Sequence, residues 1–214
     1  MRLPNIAADT INSVTVSLDE KKEGRWNLLI NGVRWNCWNV YENAEVNELR
    51  SNVEIAYGKV IATGLGLCLR EAMLLWNKNV TEIVVLENNK DVIAYHNKHN
   101  PDIMSKITVI HCDANEYIGS CDTLLLDHYE IYDDRHMELF EKGLESCTTN
   151  IKHDVLYWWA LEKILEDYDD YLCHKQGGLK LPNMTMNKFE YNVLRFHASH
   201  EKDWVNLDNL ERIV

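Results

Sequence analysis

Length, composition and charge limit the classes of protein to which this chain can belong. Its 214 residues are 46% hydrophobic and 26% charged, which is usual for a globular domain with its own core. The formal net charge of −12 argues against a broad nucleic-acid-binding surface, and no run of about 18 apolar residues could span a membrane. Six scattered cysteines without a CxxC pair are typical of a reducing compartment. We therefore expect a cytoplasmic protein that binds neither nucleic acid nor membrane.

Residues 1–50 are predicted to form a small β-rich extension. Residues 13–18 form a β-rich run, and residues 26–30 and 33–38 flank Asn31-Gly32. The Asn-Gly pair supplies the positive φ angles of a tight hairpin turn, so a small antiparallel sheet is expected here. Two interpretations are open for its tryptophans, Trp26, Trp35 and Trp38: they form the core of the sheet, which we favour, or they line a substrate mouth.

Residues 51–214 are predicted to form an α/β domain. Short apolar runs at 60–62, 82–86, 107–112 and 122–126 indicate buried strands, and residues 155–158 form either a fifth strand or the start of a helix. Helical spacing follows from 69 to 76, 90 to 97, 133 to 145 and up to about 172, and residues 188–197 alternate as a final strand does. The fold class expected is α/β: a Rossmann-like, mostly parallel sheet with helices on both faces and an antiparallel C-terminal strand, preceded by the small N-terminal sheet.

The predicted strand ends carry the residues of a ligand site. Gly64-Leu65-Gly66 follows the first strand of the α/β domain, and Glu87, Asp113 and Asp127 follow the next three. Ligands of such sheets bind at the carboxyl ends of the strands, where a glycine turn exposes backbone N–H groups. One acidic strand end is explained by helix capping, but three of them beside a glycine turn favour a ligand site.

The spacing of these residues restricts the ligand. Glu87 lies twenty-one residues after Gly66. In dinucleotide and adenosyl sites, the carboxylate that binds the ribose hydroxyls follows the glycine turn at about this separation. Leu69 occupies the place of the third glycine of the dinucleotide fingerprint, and no GxxxxGK[ST] phosphate loop is present. S-adenosylmethionine, with ribose hydroxyls, an adenine amine and a sulfonium cation, suits a cleft with several carboxylates.

Four segments, ATGLGLCLREA, VVLENNKDVI, ITVIHCDANEYI and CDTLLLD, resemble successive motifs of the class I S-adenosylmethionine-dependent methyltransferase fold. In detail they are most similar to its spermidine synthase-like branch, and the resemblance covers roughly residues 60–127. It implies S-adenosylmethionine, or S-adenosylhomocysteine as product, as the ligand. The N-terminal hairpin lies where that branch has a small β domain.

The resemblance also implies roles for individual residues. The glycine turn would pack on the methionine part of the cofactor, and its residues are Thr63, Gly64, Leu65 and Gly66. Glu87, with Asn88 beside it, would hold the ribose. Asp113 would bind the adenine amine, and Ala114 would contribute backbone contacts. These are the residues expected to bind the cofactor, together with Asp127.

Asp127 is also the expected catalytic residue, because the matching acid orients or deprotonates the acceptor in these families. Tyr129 is expected to help Asp127 orient or deprotonate the acceptor. The chain departs from the polyamine branch in having His128-Tyr129-Glu130 after this acid, where an Asp-Pro is usual. The Asn/Asp-Pro-Pro-Tyr signature of amino-methyltransferases is absent as well.

The sequence thus predicts a methyltransferase with a small-molecule acceptor, and a homodimer is possible. Aminopropyl transfer and non-catalytic binding of an adenosyl ligand are the alternatives. Asp127, His128, Glu130 and His136 fit no metal-binding spacing, so no metal site is expected. Cys68, beside the glycine turn, is either a thiol of lowered pKa or, as we favour, a small core residue.

Overall fold

The computed structural model of the chain describes residues 3–39, 49–50, 53–128, 143 and 145–158. The chain divides into two compact units, one of residues 1–128 and 149–159 and one of residues 129–148 and 160–214. Every element named below belongs to the first unit. The predicted helix at 133–145, apart from its end, and the predicted elements beyond residue 158 lie outside the described residues.

The N-terminal segment forms the predicted antiparallel sheet, with strand order β1-β2-β3-β4. The hairpin turn is confirmed, because Asn31 and Gly32 have φ angles of 51° and 78°. Strand β1 was not predicted from the sequence. The four strands are β1 (Asp9–Ile11), β2 (Val14–Leu18), β3 (Arg25–Ile30) and β4 (Val33–Asn39).

A β-bulge separates the tryptophans of β4. Leu28 pairs with Asn36 and Leu29 with Arg34, so Trp35 is an extra residue opposite the β3 strand. Trp35 is exposed, whereas Trp38 is buried in the hydrophobic core. Trp26, the cross-strand partner of Trp38, packs against the same core. The core interpretation is therefore confirmed for Trp26 and Trp38 but is wrong for Trp35.

The second sheet is parallel throughout its five strands, in the order β11-β9-β5-β6-β7. The Rossmann-like α/β fold class is thus confirmed, and the fifth strand is confirmed over the helical alternative. Its strands are β5 (Gly58–Thr63), β6 (Val80–Glu87), β7 (Thr108–His111), β9 (Thr123–Leu126) and β11 (Val155–Trp158). A short parallel pair, β8 (Gly119–Ser120) and β10 (Ile151–Lys152), accompanies them.

The helices of this unit differ slightly from those predicted. The helix α1 (Leu69–Leu74) ends two residues earlier than predicted, and α2 (Lys90–His99) extends two residues further. A short helix, α3 (Pro101–Met104), begins with proline at its first position, where a missing N–H costs nothing. Helical residues also occur at 49–50 and 53–55. No described helix has the length and apolar character needed to cross a membrane.

Hydrogen bonds attach the N-terminal segment to α2. Asp91 accepts bonds from Ser13 Oγ at 2.6 Å and from Asn12 Nδ2 at 3.0 Å. Tyr95 Oη donates to the main-chain oxygen of Ala7 at 2.8 Å, and Asn5 N donates to Asn100 Oδ1 at 2.6 Å. The N-terminal sheet and the parallel sheet therefore form one structural unit in which β4 reaches the glycine turn.

Candidate functional site

The glycine turn connects β5 to α1 and depends on left-handed backbone angles. Gly64 and Gly66 have φ angles of 74° and 49°, which glycine adopts without strain. A Cβ atom on Gly64 would collide with the main-chain oxygen of Asp127. One on Gly66 would lie 3.3 Å from Asn36 Nδ2 of β4. Both glycines thus permit close approach of another segment, as well as exposing the turn.

Glu87, the last residue of β6, is tied to this turn. Its side chain is buried, and its Oε2 accepts a hydrogen bond from Leu65 N at 2.7 Å. Its Oε1 accepts a second from Asn89 N, also at 2.7 Å. Burial raises the pKa of the Glu87 carboxyl, while the two backbone N–H groups act in the opposite direction. Each oxygen still has a second lone pair with which to accept a ligand hydroxyl.

Arg70, which sequence reasoning did not assign to the site, holds the turn from its other side. Its Nη2 donates to the main-chain oxygens of Gly64 at 2.5 Å and Thr63 at 3.2 Å. The same guanidinium pairs with Glu71 Oε1 at 2.7 Å and with Asp127 Oδ2 at 3.4 Å. Burial opposes the charge of Arg70, but the two carboxylates outweigh it and raise the Arg70 pKa.

Asp127 follows β9, which pairs directly with the glycine strand β5. Its backbone N donates to Thr63 Oγ1 at 2.9 Å, and His128 Nδ1 lies 2.6 Å from the same oxygen. Burial lowers the pKa of His128 to about 4, so its ring is neutral near pH 7. The Asp127 side chain is 31% exposed and thus accessible to a ligand. Tyr129, its expected assistant, lies outside the described residues.

The predicted adenine end of the site follows β7. Asp113 is exposed, and its Oδ1 accepts a hydrogen bond from Asn115 N at 2.9 Å, while Ala114 is buried. The Asn88 side chain is exposed, and the main-chain oxygen of Asn88 accepts a hydrogen bond from His111 Nε2 at 3.0 Å. The strand order places Asp113 on the Glu87 side of the turn, and the charge of Asp113 acts on His128. No described hydrogen bond joins Asp113 to the glycine turn.

A buried histidine of α2 forms a hydrogen bond to the glycine turn. His96 Nε2 bonds the main-chain oxygen of Gly66 at 2.8 Å, and Asn100 Nδ2 lies 3.0 Å from His96 Nδ1. Because Asn100 donates to Nδ1, the proton of the neutral ring is on Nε2 and points at Gly66. Burial lowers the pKa of His96 to about 4. His96 is fully buried, although the sequence suggests a surface residue near the end of a polar helix.

A cavity of about 30 Å³ lies between β4 and the glycine turn. Trp38 is 5% exposed, and no described residue accepts a hydrogen bond from its Nε1. Cys68 also lines the cavity and is a core residue as favoured, since its side chain is buried in the hydrophobic core, and this burial raises the pKa of its thiol. The lining includes Asn36, Trp38, Gly66, Leu67, Arg70 and Asp127.

The structure thus joins part of the predicted site by hydrogen bonds. The turn from Thr63 to Gly66 contacts both Glu87 and Asp127. Arg70 has a detectable signal in the sequence, since it is a charged residue among apolar ones at the start of a helix that proves to be wholly buried. Of the metal candidates, Glu130 and His136 lie outside the described residues, and the described residues contain no cluster of three possible ligands.

Comparison with known proteins yields structural similarity at low identity. The chain matches no protein-family profile and no curated protein sequence. A spermidine synthase from Thermotoga maritima aligns with 12% identity over 70% of this chain and 53% of its own, with a TM-score of 0.47. The mitomycin 7-O-methyltransferase MmcR aligns with 19% identity over 56% of this chain and 37% of its own, with a TM-score of 0.42.

A putative RNA methyltransferase from Pyrococcus horikoshii aligns with 19% identity over 60% of this chain and 66% of its own, with a TM-score of 0.40. The chain spans about half the length of the spermidine synthase that it matches. The parallel sheet and its strand order are therefore the established findings, and the chemistry is argued from the site itself.

Proposed function

We propose that this chain is an S-adenosylmethionine-dependent transferase, and most simply a methyltransferase acting on a small-molecule acceptor. One observation carries the proposal: the glycine turn of the central strand lies between two carboxylates of the neighbouring strands. Leu65 N bonds Glu87 on one side, and Gly64 packs against Asp127 on the other. A ligand that crosses the turn therefore meets a carboxylate at each side.

The residues present fit such a cofactor. Glu87 offers two carboxylate lone pairs to the ribose hydroxyls, and Asp113, at the next strand end, is exposed toward an adenine amine. Among the described residues, none accepts a hydrogen bond from the N–H groups of Gly66 or Leu67, and both residues line the cavity. When bound, S-adenosylmethionine supplies a methyl group on a positively charged sulfur.

The chain's own residues would then act mainly by positioning. Arg70 fixes the Asp127 carboxylate through the 3.4 Å ion pair, and Thr63 Oγ1 fixes its backbone. A carboxylate held in this way can orient the nucleophile of the acceptor and take its proton. The buried His128 ring lies beside the same threonine. Because this ring is neutral, it adds no positive charge next to the Asp127 carboxylate.

A turnover experiment tests the proposal and its alternatives. The protein is incubated with an acceptor mixture of amines, carboxylates and phenols, and with either S-adenosylmethionine or its decarboxylated form. Acceptor-dependent release of S-adenosylhomocysteine is the expected result. If the only product is 5′-methylthioadenosine, formed from the decarboxylated cofactor, the protein transfers an aminopropyl group and the proposed methyl transfer is wrong. Binding of either cofactor without any product would support the non-catalytic alternative.

A further inference from the structure

The carbonyl oxygens of the glycine turn are all bound by donors of the protein. Arg70 binds the first two, and the oxygen of Leu65 accepts a hydrogen bond from Cys68 N at 2.8 Å. The oxygen of Gly66 is bound by His96 Nε2, also at 2.8 Å. His96 is the one donor of this set that lies on another element, α2, so the direction of the last carbonyl is set from outside the turn.

A held carbonyl also sets the direction of the N–H group that follows it. The peptide unit is planar and trans, so its oxygen and its N–H point in opposite directions. The peptide between Gly64 and Leu65 shows this arrangement. Its oxygen binds Arg70, and its N–H binds Glu87 from the other side.

The same geometry applies to the next held carbonyl. Because the oxygen of Gly66 faces His96, the N–H of Leu67 points away from α2. Among the described residues, none accepts a hydrogen bond from this N–H. Without the bond to His96 the peptide could rotate, and this donor would lose its fixed direction.

The donor role of His96 is itself set by Asn100. The Asn100 amide is fixed by the N-terminal segment, since its Oδ1 accepts from Asn5 N at 2.6 Å and its Nδ2 donates to Asn5 O at 3.2 Å. The same Nδ2 lies 3.0 Å from His96 Nδ1. An amide nitrogen can only donate, so Nδ1 accepts and the proton of the neutral ring is on Nε2. Asn100 and His96 are both buried, so water does not replace either partner.

We infer that His96 is a positioning residue, which holds the peptide between Gly66 and Leu67 so that the Leu67 N–H is directed at the ligand of the turn. The inference rests on the proposed function for the identity of that ligand, the adenosyl cofactor. It adds a determinant of affinity that makes no contact with the cofactor: a chain of hydrogen bonds from Asn5 through Asn100 and His96 to Gly66.

The test compares two substitutions that differ by one methylene group. In His96→Gln the amide reaches the position of Nε2 and can still donate to Gly66. In His96→Asn the amide ends near the position of Nδ1, so it can bind Asn100 but not Gly66. Titration calorimetry with S-adenosylhomocysteine should show affinity reduced about fivefold or more in His96→Asn, the scale of one lost hydrogen bond. His96→Gln should bind within about twofold of the wild type.

Tyr95→Phe is the matched control for a general loosening of α2. Tyr95 is the neighbouring residue of the helix and is fully buried. Its Oη accepts from Ala7 N at 3.0 Å and donates to Ala7 O at 2.8 Å, and neither bond involves the turn. The variant should lose stability in urea denaturation but keep its affinity for S-adenosylhomocysteine within about twofold.

Two NMR measurements test the positioning without any ligand. The backbone amide signal of Leu67 should move in His96→Asn and keep its wild-type position in His96→Gln and Tyr95→Phe. The ring nitrogen spectrum of wild-type His96 should show the proton on Nε2, and this measurement needs no substitution.

Each contrary result overturns a specific claim. Equal affinities in the two His96 variants, or a loss in Tyr95→Phe as large as that in His96→Asn, would overturn the positioning role. A ring proton on Nδ1 would overturn it as well, because Nε2 could not then donate to Gly66. Failure of the wild-type protein to bind S-adenosylhomocysteine would overturn the proposed function, while the Leu67 signal and the ring proton would still decide the role of His96.

Discussion

Arg70 Nη1 lies 3.4 Å from Asp127 Oδ2, although the two residues are 57 positions apart in the chain. The guanidinium also binds the two carbonyls at the start of the glycine turn, so one buried cation joins the turn to the acid of the next strand. The relative position of turn and acid is therefore set by a side chain that contacts both. This arrangement leads to the first prediction.

Arg70→Ala should lower the free energy of unfolding by about 3–5 kcal/mol, because it leaves the carboxylate of Glu71 buried without its cation. Urea denaturation measures this loss. Lys98→Ala is the matched control, since it removes an ion pair with Asp9 from a side chain that is 60% exposed. That control should lose less than about 1 kcal/mol. Similar losses in the two variants would contradict the structural role of Arg70.

Gly64→Ala should be more destabilising than Gly32→Ala. Both glycines have φ angles above 70°, so the backbone strain of the substitution is matched. The new methyl group meets the main-chain oxygen of Asp127 at Gly64 but nothing within 4 Å at Gly32. We expect an additional loss of about 1–3 kcal/mol at Gly64, the range for overpacking, in urea denaturation. Equal losses would show that the turn and Asp127 do not pack closely.

The N-terminal sheet and the parallel sheet were predictable because their strands are long enough to show a pattern. The apolar runs before Gly64, Glu87 and Asp127 identify β5, β6 and β9, and Asn31-Gly32 identifies the hairpin. The strands β1, β8 and β10 have only two or three residues each, and a hydrophobic period cannot be recognised over that length.

The site was predictable only where it follows the order of the strands. Glu87 and Asp127 lie at strand ends, and parallel strands bring their ends together. Arg70 acts through Asp127, which is 57 positions away in the sequence, and local patterns carry no information about such a contact. His96 occupies a helix with many polar residues, and only the packing of α2 beneath the turn shows that it is buried.

The stability of the protein should fall as the pH falls from about 6.5 towards 4. The folded-state pKa of His96 is about 4, so the unfolded chain binds a proton in this range and the folded chain does not. Between pH 7.5 and pH 5 this one histidine accounts for about 2 kcal/mol. Urea denaturation at both pH values should show the dependence reduced by that amount in His96→Gln, whose amide can replace both ring hydrogen bonds. An unchanged dependence would mean that His96 is not buried in the neutral form.

Asp127→Asn should separate chemistry from binding. The variant keeps the shape of the side chain but removes its charge and basicity, so turnover should fall about 10²-fold or more once an acceptor is known. Cofactor affinity should change far less, because in the proposed site Glu87 and Asp113, and not Asp127, hold the nucleoside. Asp154→Asn is the control and should retain full activity, because Asp154 precedes β11 and thus lies at the amino-terminal end of the strands, away from the strand end that carries Asp127. Full activity in Asp127→Asn would reduce Asp127 to a structural residue.

The central claim is that the glycine turn and Glu87 form an adenosyl-cofactor site, and titration calorimetry with S-adenosylhomocysteine tests it most directly. The wild-type protein should bind this ligand in preference to NAD, and Glu87→Ala should weaken binding by about 1.5–3 kcal/mol. Glu82→Ala, at a half-exposed position of the same strand, should bind as the wild type does. Equal affinity in wild type and Glu87→Ala would contradict the ribose assignment, and preference for NAD would contradict the proposed function.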